Sequence, residues 1–169
     1  VTFTNCTSEG NSLYGFYATN GGKLYNCVDK DVGAGKTDYT YRKPASYYSI
    51  PCRSTNPSLV MENCTSIDSH GYGLQVDLAS NVQIQNFHLE NPAGIDGKGA
   101  SLGGTNGQFG DSSVDITASG DRVDTLVFAK NNQNVQYTGE ITSDSARAFL
   151  VEGGQNVQTA GMKVVPAGQ

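Results

Sequence analysis

Asn81-Val82-Gln83-Ile84-Gln85-Asn86-Phe87-His88-Leu89 joins two phrases that each recur along the chain. Its opening Asn-Val-Gln returns at Asn134-Val135-Gln136 and again at Asn156-Val157-Gln158, 22 residues later. Its second phrase, Gln85-Asn86-Phe87-His88, has counterparts in Thr4-Asn5-Cys6-Thr7, Tyr25-Asn26-Cys27-Val28 and Glu62-Asn63-Cys64-Thr65. Successive asparagines lie 21, 37 and 23 residues apart. Self-similarity at such a step is the mark of a stacked repeat, and the middle step fits one coil carrying an insertion. Gly139 and Gly161 are expected to hold the asparagine column in later coils.

Within each phrase apolar and polar residues alternate, as a half-buried strand requires. Val1/Phe3, Leu59/Met61, Val82/Ile84 and Val135/Tyr137 would share one side. A further apolar stretch closes each coil: Leu13–Ala18, Gly73–Val76, Leu126–Ala129 and Ala148–Val151. Turn-forming runs such as Thr19-Asn20-Gly21-Gly22 and Glu152-Gly153-Gly154-Gln155 mark the corners. The pattern predicts an all-β chain: a single-stranded right-handed parallel β-helix of about six to seven coils, one domain over residues 1–169. A sandwich or a roll of hairpins is the rival, but neither needs a phrase repeated at a fixed column. The column has a physical reason. Coils stack about 4.8 Å apart, so like side chains at a bend can pass hydrogen bonds along the stack, and Asn tolerates the left-handed backbone of a tight bend.

Composition agrees. Hydrophobic residues make up 37% of the 169 and charged residues 16%, with 21 Gly. The charge is too low for a solvated disordered chain, and no apolar run has the length of a membrane helix. The net charge of −5 argues against a general nucleic-acid binder. Val1 falls inside an alternating pattern, so the chain reads as a piece of a longer solenoid.

Cys6, Cys27 and Cys64 share one column beside the asparagines. Parallel side chains do not converge as a disulfide requires, so these thiols read as small core residues. Cys52 lies outside the column. Asn5-Cys6-Thr7 and Asn63-Cys64-Thr65 match the glycosylation sequon, yet both asparagines belong to the expected ladder and read as structural.

Residues 36–53 differ from their surroundings and are read as a loop insertion. They hold Tyr39, Tyr41, Tyr47 and Tyr48, together with Lys36, Arg42, Lys43 and Arg53 against the single acid Asp38. The segment is +3 within an overall −5, which leaves −8 on the rest. Tyr rings stack on sugar faces and Arg forks match carboxylates, which points to an acidic polysaccharide bound by Tyr39, Tyr41, Lys43, Tyr47 and Tyr48. A packing flap with solvated charges is the other reading. The next coil carries Ser66-Ile67-Asp68-Ser69-His70-Gly71-Tyr72-Gly73. On extended backbone Asp68 and His70 share a side, and a carboxylate beside His prepares it for proton transfer. The alternative is a corner in which Asp68 makes a turn hydrogen bond and His70 is simply exposed. His88 reads as a surface histidine. Glu9, Asp31, Asp68, Glu90 and Asp144 recur after the bends; they read as a solvated acidic face, with Ca²⁺ ligation as the alternative. No metal site or other cofactor is expected. The Gly-rich runs at 94–99 and 103–107 lack a Walker Lys-Ser/Thr.

The coil phrases, among them Asn81–Asn86 and His70-Gly71-Tyr72-Gly73-Leu74-Gln75-Val76, resemble those of the pectin-lyase-like superfamily, including mannuronan C-5-epimerases. The Asp-Pro-His-Glu motif of those epimerases is absent, and Asp68-Ser69-His70-Gly71 resembles it only in part. The resemblance implies secreted or extracellular work on uronate polymers by C5 proton abstraction, as a lyase or epimerase. Arg42 or Arg53 would then neutralise the carboxylate, His70 oriented by Asp68 would move the proton, and Tyr72 would assist. The alternative is a non-catalytic glycan-binding or tailspike-like module. Nucleic acid and membrane are not expected partners.

Overall fold

The structure is a computed structural model that describes residues 1–18, 22–35, 43–49, 59–104 and 109–168. The chain winds as a parallel β-solenoid of about six turns, each with three legs. The first coil holds β1 (Thr2–Thr4), β2 (Thr7–Glu9) and β3 (Tyr14–Tyr17); the second holds β4 (Gly22–Tyr25), β5 (Val28–Lys30) and β6 (Ala45–Ser49). The third follows with β7 (Leu59–Glu62), β8 (Thr65–Ile67) and β9 (Tyr72–Val76). From the fourth coil the first two legs fuse. There β10 (Ala79–Ser80) leads into β11 (Val82–Glu90) and then β12 (Lys98–Leu102). The fifth coil is β13 (Phe109–Ser119) and β14 (Thr125–Lys130), and the sixth is β15 (Asn132–Thr142) and β16 (Phe149–Glu152). β17 (Gln155–Val165) stacks on β15 as a further leg.

First and second legs form an eleven-stranded sheet; third legs form a six-stranded sheet, ordered β16-β14-β12-β9-β6-β3. Every strand pairing is parallel and joins equivalent legs of successive coils, as in Phe3↔Leu24 and Leu24↔Met61. Among the described residues there is no helix, and so none long and apolar enough to cross a membrane.

The bend between first and second legs is built by asparagine. Asn5, Asn26, Asn63 and Asn86 have φ between 54° and 57°, the left-handed region that Asn enters at little cost. Each amide then donates to the preceding rung: Asn26 Nδ2 to Asn5 Oδ1 at 3.1 Å, Asn63 to Asn26 at 3.2 Å and Asn86 to Asn63 at 2.8 Å. Beyond Asn86 one extra residue in β11 shifts the register between Ile84 and Phe87, a bulge. Asp115 therefore takes the next rung, accepting the Asn86 backbone N–H and the Thr138 hydroxyl. Thr138 and Gly161 complete the column. Gly139 does not belong to it, because the bulge is absent from β13 and β15 and places Gly139 opposite Ile116. Two further bend columns follow the same rule. Asp31, Asp68 and Asn91 have φ of 59°, 52° and 53°, and Asp111, Asn134 and Asn156 have φ of 50°, 57° and 54°.

Inward positions fill the solenoid with Leu24, Met61, Ile84, Val114, Val135 and their neighbours. Cys27 and Cys64 are fully buried, Cys6 is partly so, and all three are free thiols. Each thiol caps backbone carbonyls at a strand end, as Cys64 does with Leu24 O at 3.5 Å. Parallel stacking thus leaves them unbridged. Cys52 lies outside the described residues.

The reading of residues 36–53 as one loop is corrected by β6, which occupies its middle. Ala45, Ser46, Tyr47 and Ser49 are buried, and the strand pairs with β3 and β9. Ser-Tyr-Tyr-Ser carries no Val, Ile or Leu and reads as polar, yet small residues and a ring suffice when both neighbouring strands are already in place. The extra length of the second coil falls on either side of β6, in 36–42 and 50–58, outside the described residues.

Candidate functional site

The third legs repeat a short pattern in register. Gly15-Phe16-Tyr17-Ala18 aligns with Ser46-Tyr47-Tyr48-Ser49, and then with Gly73-Leu74-Gln75-Val76, Gly99-Ala100-Ser101-Leu102 and Leu126-Val127-Phe128-Ala129. The second and fourth positions face the core. The third faces outward, so Tyr17, Tyr48, Gln75, Ser101, Phe128 and Leu150 form one column along the outer face of the six-stranded sheet. Stacking at about 4.8 Å per coil sets Tyr48 and Phe128 about 14 Å apart, with Gln75 and Ser101 between them.

Aromatic rings stand at two places along this column. Tyr14 stacks on Tyr48, with centroids 4.7 Å apart and planes 16° from parallel. Tyr17, 47% exposed, stands edge-on to both, at 5.3 Å from Tyr14 and 5.4 Å from Tyr48. Three coils beyond Tyr48 the Lys98 ammonium lies 4.5 Å above the Phe128 ring, a cation–π pair in which the ring itself is buried. Tyr72, Ala45 and Ile95 form a small buried cluster against which Tyr14 and Tyr48 pack. The rings are therefore fixed before anything binds.

Tyr48 stands on this outer face, with Tyr14 and Tyr17 beside it. Tyr47, one residue earlier, points the other way. It is 2% exposed, stacks on Phe16 at 5.1 Å, and its hydroxyl lies 2.9 Å from both the Cys27 and the Thr65 carbonyl oxygens. Its expected place among sugar-contacting residues is corrected: strand alternation puts it in the core, where burial drives its ionisation far above the usual phenol range. Lys43 bridges coils by pairing with Asp96 at 3.1 Å, both side chains well exposed. Tyr39, Tyr41, Arg42 and Arg53 lie outside the described residues.

The root of the insertion does meet the Asp68/His70 coil. The Pro44 carbonyl accepts the Tyr72 N–H at 2.9 Å, and a Cβ at Gly71 would run into that same carbonyl. His70 immediately precedes Gly71, its N–H bonded to Val32 O at 2.9 Å. Asp68 and His70 do not share a side by alternation, however. Asp68 has φ +52°, so the backbone between them is bent rather than extended, and the Asp68 carboxylate accepts from the Asn91 amide at 2.8 Å. Among the described residues no side chain hydrogen-bonds the His70 ring. Tyr72 is 6% exposed; burial, reinforced by Asp96 and Asp77, pushes its phenol up to about 12. His88 sits on the surface, its Nδ1 2.9 Å from the Thr117 hydroxyl and its Nε2 3.6 Å from Glu90.

Two carboxyl groups unremarked in the sequence are perturbed. Asp29 is fully buried within the second coil; burial raises its pKa, and neither carboxyl oxygen finds a hydrogen-bond partner among the described residues. Gly15 faces it because any Cβ there would strike the carboxyl. Asp77, just past β9, is pushed up to about 6 by burial. Among the described residues no three His, Cys, Asp or Glu side chains gather as a metal site; Asp31 and Asp68 are spent on bends. The chain matches no protein-family model, no curated protein and no solved structure.

Proposed function

We propose that this solenoid is an extracellular glycan-binding module of the pectin-lyase-like kind, which holds an acidic polysaccharide along the outer face of its six-stranded sheet without turning it over. The observation that carries the reading is the pre-arranged cluster of Tyr14, Tyr17 and Tyr48, with Lys98 further along the same sheet over the buried Phe128 ring. Rigid aromatic faces supply contact area at small entropic cost. Gln75 and Ser101 between them offer hydrogen bonds to hydroxyls. Lys98 supplies positive charge on the strip for a uronate chain within an otherwise acidic protein. Proton abstraction by His70 is less well supported, because Asp68 is committed to Asn91 and the Tyr72 phenol remains protonated at neutral pH.

Affinity electrophoresis in gels containing alginate or polygalacturonate tests this directly. The wild-type chain is expected to be retarded, and Tyr17→Ala/Tyr48→Ala to migrate as in a sugar-free gel. Added salt should weaken the retardation, since exposed charges are screened. Unchanged retardation of the double variant would refute the tyrosine face. Appearance of unsaturated uronate in the same samples would restore the lyase reading.

A further inference from the structure

The eleven-stranded sheet carries a second concave surface, on a different face of the solenoid from the tyrosines. Two adjoining hollows, of about 340 and 230 Å³, flank the bend at Asp111 and Asn134, and both residues line each of them. The floor is closed by the buried Val82 and Val135. Above it Gln83, Ser113, Gln136 and Gln158 stand in one register column across four coils, and all four are exposed. From Gln83 to Gln158 the column spans about 14 Å at the stacking distance of coils.

The chemistry of the lining is narrow. No lining residue is basic, and the one acid is Asp111. Its Oδ1 accepts from Asn134 at 3.1 Å, while Asn134 Oδ1 accepts from Asn156 at 2.7 Å. This ladder fixes the orientation of both amides and leaves Asp111 Oδ2 without a hydrogen bond from the described residues. An anion would meet a carboxylate with no cation to offset it. An apolar ligand would find its walls made of amides and hydroxyls. A hydroxyl-rich uncharged ligand fits: each Gln presents a donor and an acceptor side by side, the Ser113 hydroxyl presents both, and Asp111 accepts.

We infer that this groove binds a neutral oligosaccharide chain running across the coils, as a site separate from the tyrosine face and of different charge preference. Because this rests on the amide column alone, it stands or falls apart from the acidic-glycan reading.

The test is an NMR titration of the assigned, ¹⁵N-labelled chain with cello-, xylo-, manno- and galacto-hexaose, with hexagalacturonate and CaCl₂ as contrasts. At least one neutral hexaose should give saturable shifts at Gln83, Ser113, Gln136 and Gln158 with none at Tyr17 or Tyr48. Gln83→Ala/Gln136→Ala/Gln158→Ala, whose changes are confined to exposed side chains, should weaken that binding by about tenfold or more with an unchanged melting temperature. Tyr17→Ala/Tyr48→Ala should leave it intact. The inference is overturned if no neutral hexaose shifts the column, if the triple variant binds equally well, or if hexagalacturonate or Ca²⁺ shifts these residues as strongly as any neutral sugar.

Discussion

Tyr47 and Tyr48 are neighbours in one strand and are assigned opposite work, so substituting them separately tests the whole placement. Tyr47→Phe removes a hydroxyl lying 2.9 Å from the carbonyl oxygens of Cys27 and Thr65 and leaves the ring stacked on Phe16. The Cys27 carbonyl keeps its Thr65 N–H, so the loss is close to one net hydrogen bond, about 1 kcal/mol. For a chain of this size that lowers the melting temperature by about 2–4 °C. Tyr47→Ala also empties a ring-sized volume between Phe16 and Phe87, which costs about 3–5 kcal/mol. Tyr48→Ala gives up its stacking on Tyr14, worth about 0.5–1.5 kcal/mol, but should abolish retardation by polygalacturonate. Thermal unfolding followed by circular dichroism, beside affinity electrophoresis, reads both effects. If Tyr47→Phe weakened sugar binding while melting normally, the assignment of that ring to the interior would be wrong.

Further outcomes follow from the ladders and the buried groups. Asn63→Ala should destabilise by about 1–3 kcal/mol, since it removes two rungs and forces φ +57° on Ala; Asn63→Gly, which keeps the backbone, should cost less in the same urea titration. Asp77, with its pKa raised from 3.8 to about 6, favours the protonated folded form, so the stability it adds is complete below the unfolded pKa and is lost as pH climbs to about 6. Asp77→Asn should therefore flatten the fall in unfolding midpoint between about pH 4 and pH 6, by at most about 3 kcal/mol; an identical pH profile in the variant would count against its burial. The Cys64 thiol, buried and pushed up to about 11, should resist iodoacetamide at neutral pH until denaturant is added. Mass spectrometry should find no disulfide among Cys6, Cys27 and Cys64.

Much of the architecture was legible from order alone. The asparagine phrase, the alternation around it and the cysteine column are local patterns whose consequences are local: a left-handed bend, an inward thiol, an amide aimed along the stack. Register was harder to read. A bulge in β11 is absent from β13 and β15 and returns in β17, so the later residues of the two middle strands are displaced by one place: Gly139 left its expected column while Gly161 stayed. β6 was hidden because Ser-Tyr-Tyr-Ser has the composition of a loop and becomes a strand only between β3 and β9. Its alignment with Gly15-Phe16-Tyr17-Ala18 was the available signal. Once those two stretches are set in register, Tyr17 falls beside Tyr48 and Tyr47 beside Phe16.

Local order is enough to tell that the chain coils, where it bends and which thiols point inward, because each follows from residues within a few positions of one another. It took the stacked coils to settle which tyrosines face outward, that Asp68 serves Asn91 rather than His70, that Asp29 is shut away from water and that Asp77 is half-buried. Those outcomes depend on which residue of one coil lies beside which residue of the next, 20 or more positions along. A one-residue slip exchanges the two faces of a strand, so side-chain fate is settled by stacking register and not by local pattern.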